Sequence, residues 1–412
     1  MNTYAIIILS ALLANFVLEL VADLLNLKAL RPELPAEFQD IYDVDEYARS
    51  QNYTRVKTKF GFVVGTVDLA IMLLFWLLGG FNWLDIIARS WGFGPIVTGL
   101  FYMGLLILGK TILSLPFKVY STFVIEEKFG FNKTTATTFI ADLGKGLLLT
   151  AILGGLVMAC IIGIFENSGP LAWLYCWAAV TIFILFIQFI APTWIMPLFN
   201  KFTPLAEGAL KDAIFAFAKS VNFSLQNVFV MDGSKRSSKS NAFFTGFGKH
   251  KRIALFDTLI AKHSVAELVA VLAHEIGHYQ KKHILQGMAI SILHTGVMLY
   301  LLSIFVHHHG LFSAFYMDHS SVYAGLIFFG LLFTPIELIL SVFMHILSRH
   351  NEFEADRFTA QTTNDPDSMI QALKKLSAHN LSNLTPHPFQ VFLHYSHPPL
   401  LTRITAIRNY KK

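Results

Sequence analysis

His274, Glu275 and His278 are the residues whose types and spacing can do chemistry. Residues four apart on a helix stand one turn above each other, so two imidazoles on one face can grip a single metal ion. A carboxylate next to the first imidazole can reach the water such an ion activates and take its proton. For His274-Glu275-Ile276-Gly277-His278 the ion expected is Zn²⁺, one per chain, with His274 and His278 as ligands and Glu275 as the base of a hydrolysis.

The stretch needs a helix, and its flanks supply one. Ser264-Val265-Ala266-Glu267 has the Ser-x-x-Glu form of a capping box, ten residues ahead of His274. Val265, Leu268, Val269, Leu272, Ile276 and Tyr279 then recur at three- and four-residue spacing. Gly277 costs about 1 kcal/mol relative to alanine inside such a helix. Its expected use is to let a second helix come close to the metal.

Two histidines leave a catalytic zinc one protein ligand short, with the fourth position kept for water. The best source of the third lies in Ser348-Arg349-His350-Asn351-Glu352-Phe353-Glu354-Ala355-Asp356-Arg357. Glu352 and Asp356 are four apart and share a face. Glu352 can ligate the ion, while Asp356 can accept a hydrogen bond from the outer ring nitrogen of a ligand histidine and fix its tautomer. Glu354 lies about 200° around the helix from Glu352 and is expected to face away.

The elements that must position these residues sit in a membrane. The chain is 54% hydrophobic and 14% charged, with mean hydropathy +0.53, where a soluble domain carries about 25% charged residues. Seven segments are long and apolar enough to span, at about 4–22, 62–81, 95–115, 146–165, 171–191, 287–306 and 322–345. The first has no basic leading region and no clear cleavage site, so it is expected to be retained. The organisation expected is spans one to five over 1–191, an insertion over 192–286, spans six and seven over 287–345, and a tail over 346–412.

Lys and Arg are absent from loops 166–170 and 307–321, and 82–94 holds only Arg89, whereas 23–61, 116–145, 192–286 and the tail are rich in them. The positive-inside rule then puts the amino terminus outside, and the insertion and tail in the cytoplasm. The net charge of +5 is accounted for by this topology, and no basic-aromatic pattern calls for nucleic acid. Cys160 and Cys176 fall inside spans without metal-ligand spacing, so they read as small apolar side chains. His307-His308-His309 reads as a solvated outer loop. Glu19, Asp68, Lys110, His294, Glu337 and His345 fall within or at the ends of spans, and so many favour a polar cavity among the helices.

Within the insertion, 206–220 reads as a helix and Val228–Met231, 241–246 and Arg252–Phe256 as strands, the last two joined from Gly246 to Lys251. A small sheet beside a zinc helix could pair its edge with an extended peptide, or serve as scaffold alone.

The pairing of His274-Glu-Ile-Gly-His278 with Glu352-Phe-Glu-Ala-Asp356 resembles the gluzincin signature of the type I CAAX prenyl endopeptidases. Ser240-Asn241-Ala242-Phe243-Phe244-Thr245-Gly246 with Arg252–Asp257, and Tyr395-Ser396-His397-Pro398-Pro399-Leu400-Leu401 with Arg403-Ile404, are similar to that family as well. The resemblance covers nearly the whole chain. It implies an all-α membrane protein of seven helices around a water-filled chamber, with a zinc protease region containing a small sheet at the cytoplasmic end. The substrates implied are membrane-associated peptides or proteins, prenylated ones included, and a monomer is expected. Ser396 can cap a helix holding Pro398-Pro399 in its first turn and burying Leu400, Ile404 and Ile407. His397 could hydrogen-bond the oxyanion on the scissile carbonyl. Asn241 could hold the substrate backbone, and Arg403 could bind a substrate carboxylate or pair with an acid in the site.

Rival readings differ at definite points. A site-2-type protease would carry the His-Glu motif inside a span and ligate through aspartate. A quality-control metalloprotease without prenyl specificity, of the shorter type, would lack the five-span leader. A transporter or receptor with a structural metal would need a fourth protein ligand. The absence of an ER-type carboxy-terminal signal, with the modest length, points to a bacterial inner membrane.

Overall fold

The structure is a computed structural model that describes residues 1–245 and 252–410; the connection expected from Gly246 to Lys251 lies outside the described residues. Seven helical stretches are long and apolar enough to cross a membrane: Thr3–Ala29, Val44–Leu77, Pro95–Glu126, Ala136–Asn167, Gly169–Leu198, His283–Phe305 and Val322–Thr363. They match the seven expected segments. The second ends at Leu77 instead of 81, because Gly79 takes a left-handed conformation (φ 75°) that closes the helix.

In chain order the helices of the first half are α1 (Thr3–Ala29), α2 (Val44–Leu77), α3 (Gly80–Ser90), α4 (Pro95–Tyr120), α5 (Ala136–Leu149), α6 (Gly155–Asn167) and α7 (Ala172–Ile190). The insertion contributes β1 (Phe202–Pro204), α8 (Ala209–Ser220), β2 (Asn227–Met231), β3 (Ala242–Thr245), β4 (Arg252–Phe256), α9 (Asp257–Ile260) and α10 (Val265–Gln280). Then follow α11 (His283–Phe305), α12 (His309–Ser313), α13 (Val322–Thr363), α14 (Pro366–His379), α15 (Pro388–His394) and α16 (Leu400–Tyr410).

One end of the bundle is closed by aromatic packing. Phe315 and Phe328 stack at 3.9 Å, Trp76 lies against Phe315, and its indole N–H donates to Ala314 at 2.7 Å. Asn82 bonds Asp318 there, so two of the loops poor in Lys and Arg, 82–94 and 307–321, meet at this end. The insertion and tail form the opposite end. α13, with 42 residues, joins the two. At 1.5 Å per residue it runs about 63 Å, roughly twice the hydrocarbon thickness, and so carries Glu352 well beyond its apolar half.

The four strands are ordered β1-β2-β4-β3. β2 and β4 run parallel, and each outer strand is antiparallel to its neighbour. Arg-Ile-Ala-Leu-Phe suits β4 to a central place, with Ile253 and Leu255 buried against Leu268, Leu272 and Ile276 of α10. β1 was not expected; Phe202-Thr203-Pro204 is too short to show alternation, and proline is tolerated only at such an edge. β3 is the other edge, beside the helix that carries the metal motif.

Polar side chains do line space between the spans. A cavity of about 680 Å³ among α1, α11 and α13 is bounded by Glu19, His294, Glu337, His345 and His394. Glu19 pairs with His394 at 3.2 Å, and His294 with Glu337 at 3.4 Å. Lys110 and Asp68 pair at 2.6 Å while both stay exposed.

Candidate metal centre

α10 forms where its sequence dictates. Ser264 and Glu267 make both bonds of the capping box, at 3.3 and 3.0 Å. This fixes the helix phase, so that His274 and His278 face α13. Gly277 lies on the contact: a Cβ there would stand 3.2 Å from the Ala355 Cα and the Phe358 ring. Glycine and Ala355 together let the two helices approach closely enough for ligands from both to meet.

The ligating atoms of His274, His278 and Glu352 lie within 4.8 Å of one another, the only such cluster among the described residues. The two Nε2 atoms are 3.1 Å apart, and Glu352 carboxylate oxygens lie 3.4 Å from His274 Nε2 and 3.3 Å from His278 Nε2. Ligand bonds of about 2.0–2.1 Å in a tetrahedral arrangement put neighbouring ligand atoms about 3.3 Å apart, so the donors fit zinc in kind and in spacing. Glu275 lines a cavity of about 340 Å³ together with His278, His283 and Phe244. Burial pushes its carboxyl above the ordinary glutamate value, against the pull of the two histidines.

Asp356 is fully buried and lies 3.0 Å from His274 Nδ1. Burial alone would push the His274 imidazole down, but the bonds to Asp356 and Glu352 outweigh it and hold it up at about 9. A site this rich in negative charge attracts a cation. Arg403, expected either on a substrate carboxylate or on an acid of the site, is turned inward. It donates to Asp356 from Nε at 2.8 Å and from Nη2 at 2.6 Å, and its Nη1 lies 3.2 Å from Glu352. Burial opposes its charge, yet these two carboxylates raise its pKa further.

His397 comes to the mouth of the centre, with Nε2 3.3 Å from Glu352 and a 63% exposed side chain. The surrounding protein still pushes its pKa below the ordinary histidine value. Ser396 does not cap the following helix as expected. Its hydroxyl bonds His397 Nδ1 at 2.9 Å, and α16 begins at Leu400, after both prolines. Ile404 and Ile407 are buried as expected, and Leu400 partly so. Arg349 of α13, not foreseen, holds this loop by donating to the Val391 and Tyr395 carbonyls at 2.9 and 2.6 Å.

Asn241 stays exposed immediately before β3, and its side-chain oxygen accepts from the Ala242 N–H. Three residues further, about 10 Å along the strand, Phe244 reaches the Glu275 cavity. Glu354 faces away from Glu352 as expected, at a half-exposed rim, and there it meets His283, which in turn meets His278. A histidine five residues after the motif was the signal for this contact, and it went unread.

Fold and centre together define an integral-membrane metallopeptidase. Residues 23–201 match the family described as CAAX prenyl protease N-terminal, five membrane helices, and residues 204–411 match Peptidase family M48. The chain is 36% identical to a CAAX prenyl protease 1 homolog of Oryza sativa subsp. japonica, over 98% of this chain and 96% of the relative. It is 35% identical to CAAX prenyl protease 1 of Saccharomyces cerevisiae, over 92% and 89%. The crystal structure of S. mikatae Ste24p superposes with a TM-score of 0.93 at 34% identity, covering 99% of both chains. The chain belongs to the CAAX prenyl protease 1 family of M48 metallopeptidases.

Proposed function

We propose that the protein is a zinc endopeptidase that cleaves membrane-delivered peptides ending in a prenylated CAAX-type sequence, as the names of its relatives say of them. The observation that carries this reading is the convergence of His274, His278 and Glu352 on one point beside Glu275, next to the open edge of β3. His274, His278 and Glu352 would hold one Zn²⁺ per chain, which when bound supplies Lewis acidity to the water and the scissile carbonyl.

Glu275 takes the proton of the attacking water and passes it to the leaving amine. His397 donates from its ring N–H to the oxyanion that forms. Asp356 keeps His274 in the ligating tautomer, and Arg403 neutralises Asp356 and Glu352 rather than reaching substrate. The substrate lies extended along β3, with Asn241 holding its backbone and Phe244 as an apolar wall. The cavity among α1, α11 and α13 shares Gly287 and Met344 with the Glu275 cavity, and so adjoins the site from the bilayer.

The Lys- and Arg-rich loops lie at the same end as the centre, which supports a cytoplasmic active site. One copy supplies every residue of the centre, which is compatible with a monomer.

The test compares cleavage of a farnesylated and an unmodified peptide by wild-type and Glu275→Gln protein. The variant should bind zinc and lose hydrolysis by several orders of magnitude. Hydrolysis retained by the zinc-loaded variant sinks the assignment of Glu275. Equal cleavage of both peptides replaces prenyl specificity with general proteolysis of membrane proteins.

A further inference from the structure

His274 and His278 both turn Nε2 toward Glu352, which leaves each Nδ1 facing outward and in need of a partner. His274 Nδ1 has Asp356, itself held by Arg403. His278 has no carboxylate there. Its Nδ1 lies 3.0 Å from Nδ1 of His283, and His283 Nε2 lies 3.0 Å from Oε2 of Glu354.

His283 reaches this place because the chain breaks just before it. On an uninterrupted helix a residue five positions on would point about 140° away. α10 ends at Gln280, and Lys282 takes a left-handed conformation (φ 62°), so α11 sets off in a new direction with His283 as its first residue. His283 is buried, while the Glu354 side chain is 41% exposed at the rim. Three helices thus meet through one row of side chains: α10 through His278, α11 through His283 and α13 through Glu354.

The position of each proton follows from the far end of the row. A carboxylate only accepts, so the proton of a neutral His283 sits on Nε2 and its Nδ1 presents a lone pair. His278 must then carry its own proton on Nδ1, which leaves the Nε2 lone pair aimed at the point shared with His274 and Glu352. Without an acceptor at this place the imidazole can hold its proton on either nitrogen, and one of the two tautomers aims an N–H into the centre.

We propose that His283, oriented by Glu354, is a positioning residue for His278: it fixes the tautomer and ring angle of this ligand as Asp356 does for His274. The inference rests on the zinc reading given above. It also gives the sixth span a direct hold on the centre, because α11 begins with the residue that orients the ligand.

The experiment measures zinc affinity of the purified full-length chain by competition with a chromophoric chelator. The panel is wild type, His283→Leu, His283→Gln, Glu354→Leu and Glu354→Gln, with thermal unfolding of the zinc-free proteins followed in parallel. His283→Leu should weaken zinc binding about 10- to 100-fold, the range seen when such outer partners are lost. His283→Gln should stay within about threefold of wild type, since its amide oxygen can accept the same Nδ1–H. A structural role alone predicts no such recovery. Wild-type affinity in His283→Leu, or equal loss in the Leu and Gln variants, overturns the proposal. Should His283→Leu fail to fold, the exposed rim decides. Glu354→Leu is then expected to bind zinc more weakly than Glu354→Gln, which still accepts from His283, and equal affinities overturn the proposal. A wild-type chain that binds no zinc overturns instead the metal reading on which it stands.

Discussion

Replacing Gly277 by alanine tests whether the α10–α13 approach, and not merely the identity of the ligands, makes the centre. The new Cβ would sit 3.2 Å from both the Ala355 Cα and the Phe358 ring, and 3.3 Å from the Ala355 carbonyl oxygen. Carbon atoms prefer about 3.5–4.0 Å, and reaching only the near end of that range already parts the helices by roughly 0.3–0.5 Å. Two terms then act on folding. Alanine gains about 1 kcal/mol of helix propensity over glycine, and overpacking costs about 1–3 kcal/mol. The net loss of stability is therefore only about 0–2 kcal/mol. The effect on the centre is larger in proportion, because the separation falls directly between His278 and Glu352. A misplacement of 1 Å costs about 10²-fold, so this shift should cost roughly 4- to 10-fold in kcat/KM on a farnesylated peptide. Zinc affinity should fall with it, and Gly277→Val should fall further. The assay pairs chelator competition with steady-state cleavage, using thermal unfolding of the zinc-free protein as the control for folding. Wild-type zinc affinity and turnover in Gly277→Ala would refute the close-approach reasoning. A large loss of stability with unchanged kinetics per folded molecule would refute it as well.

Other substitutions probe the surroundings. Arg403→Met strips Asp356 and Glu352 of their buried cation and should cost about 3–5 kcal/mol in denaturant unfolding, while Arg403→Lys restores charge without the two-pronged geometry and recovers only part. Asn380 clamps Ser240 through two bonds of 3.0 and 3.1 Å just ahead of β3. Asn380→Ala should raise KM severalfold with kcat little changed, and a fall in kcat at constant KM would contradict a role for β3 in holding substrate. His379, packed near His263 and Lys375, is pushed by burial from 6.5 to about 4. Between those values the unfolded chain binds a proton that the folded chain does not. Stability should therefore be untouched by this group above about pH 6.5 and fall as the pH drops toward 4. Chemical unfolding at pH 7.5 and pH 5 should show a smaller acid loss in His379→Gln than in wild type.

The proposed ligands were legible as a group because their geometry is local. His274 and His278 share a face by spacing alone, as do Glu352 and Asp356, and any helix carrying them keeps those relations whatever the rest of the chain does. Hydropathy likewise located all seven spans, since a bilayer imposes its length on each one separately. What periodicity left open or missed was decided by a third element. Glu354 does lie on a different face of α13 from Glu352, as its helical angle required, but what it meets on that half-exposed face is set by α11, which brings His283 against it. The turn at Lys282 that makes this possible uses an ordinary lysine in a left-handed conformation, with no glycine to mark it. Arg403 offered two chemically equal partners until packing buried it against Asp356, and Ser396 found a nearer hydrogen-bond partner in the His397 ring than in any N–H of the following helix. Periodicity therefore fixes which residues can act together, whereas the approach of neighbouring elements fixes which of them do. The two ligand histidines show the difference within a single helix. The partner of His274 lies four residues from Glu352 on the same face, whereas the partner of His278 comes from the start of a membrane span and exists only once the chain has turned back.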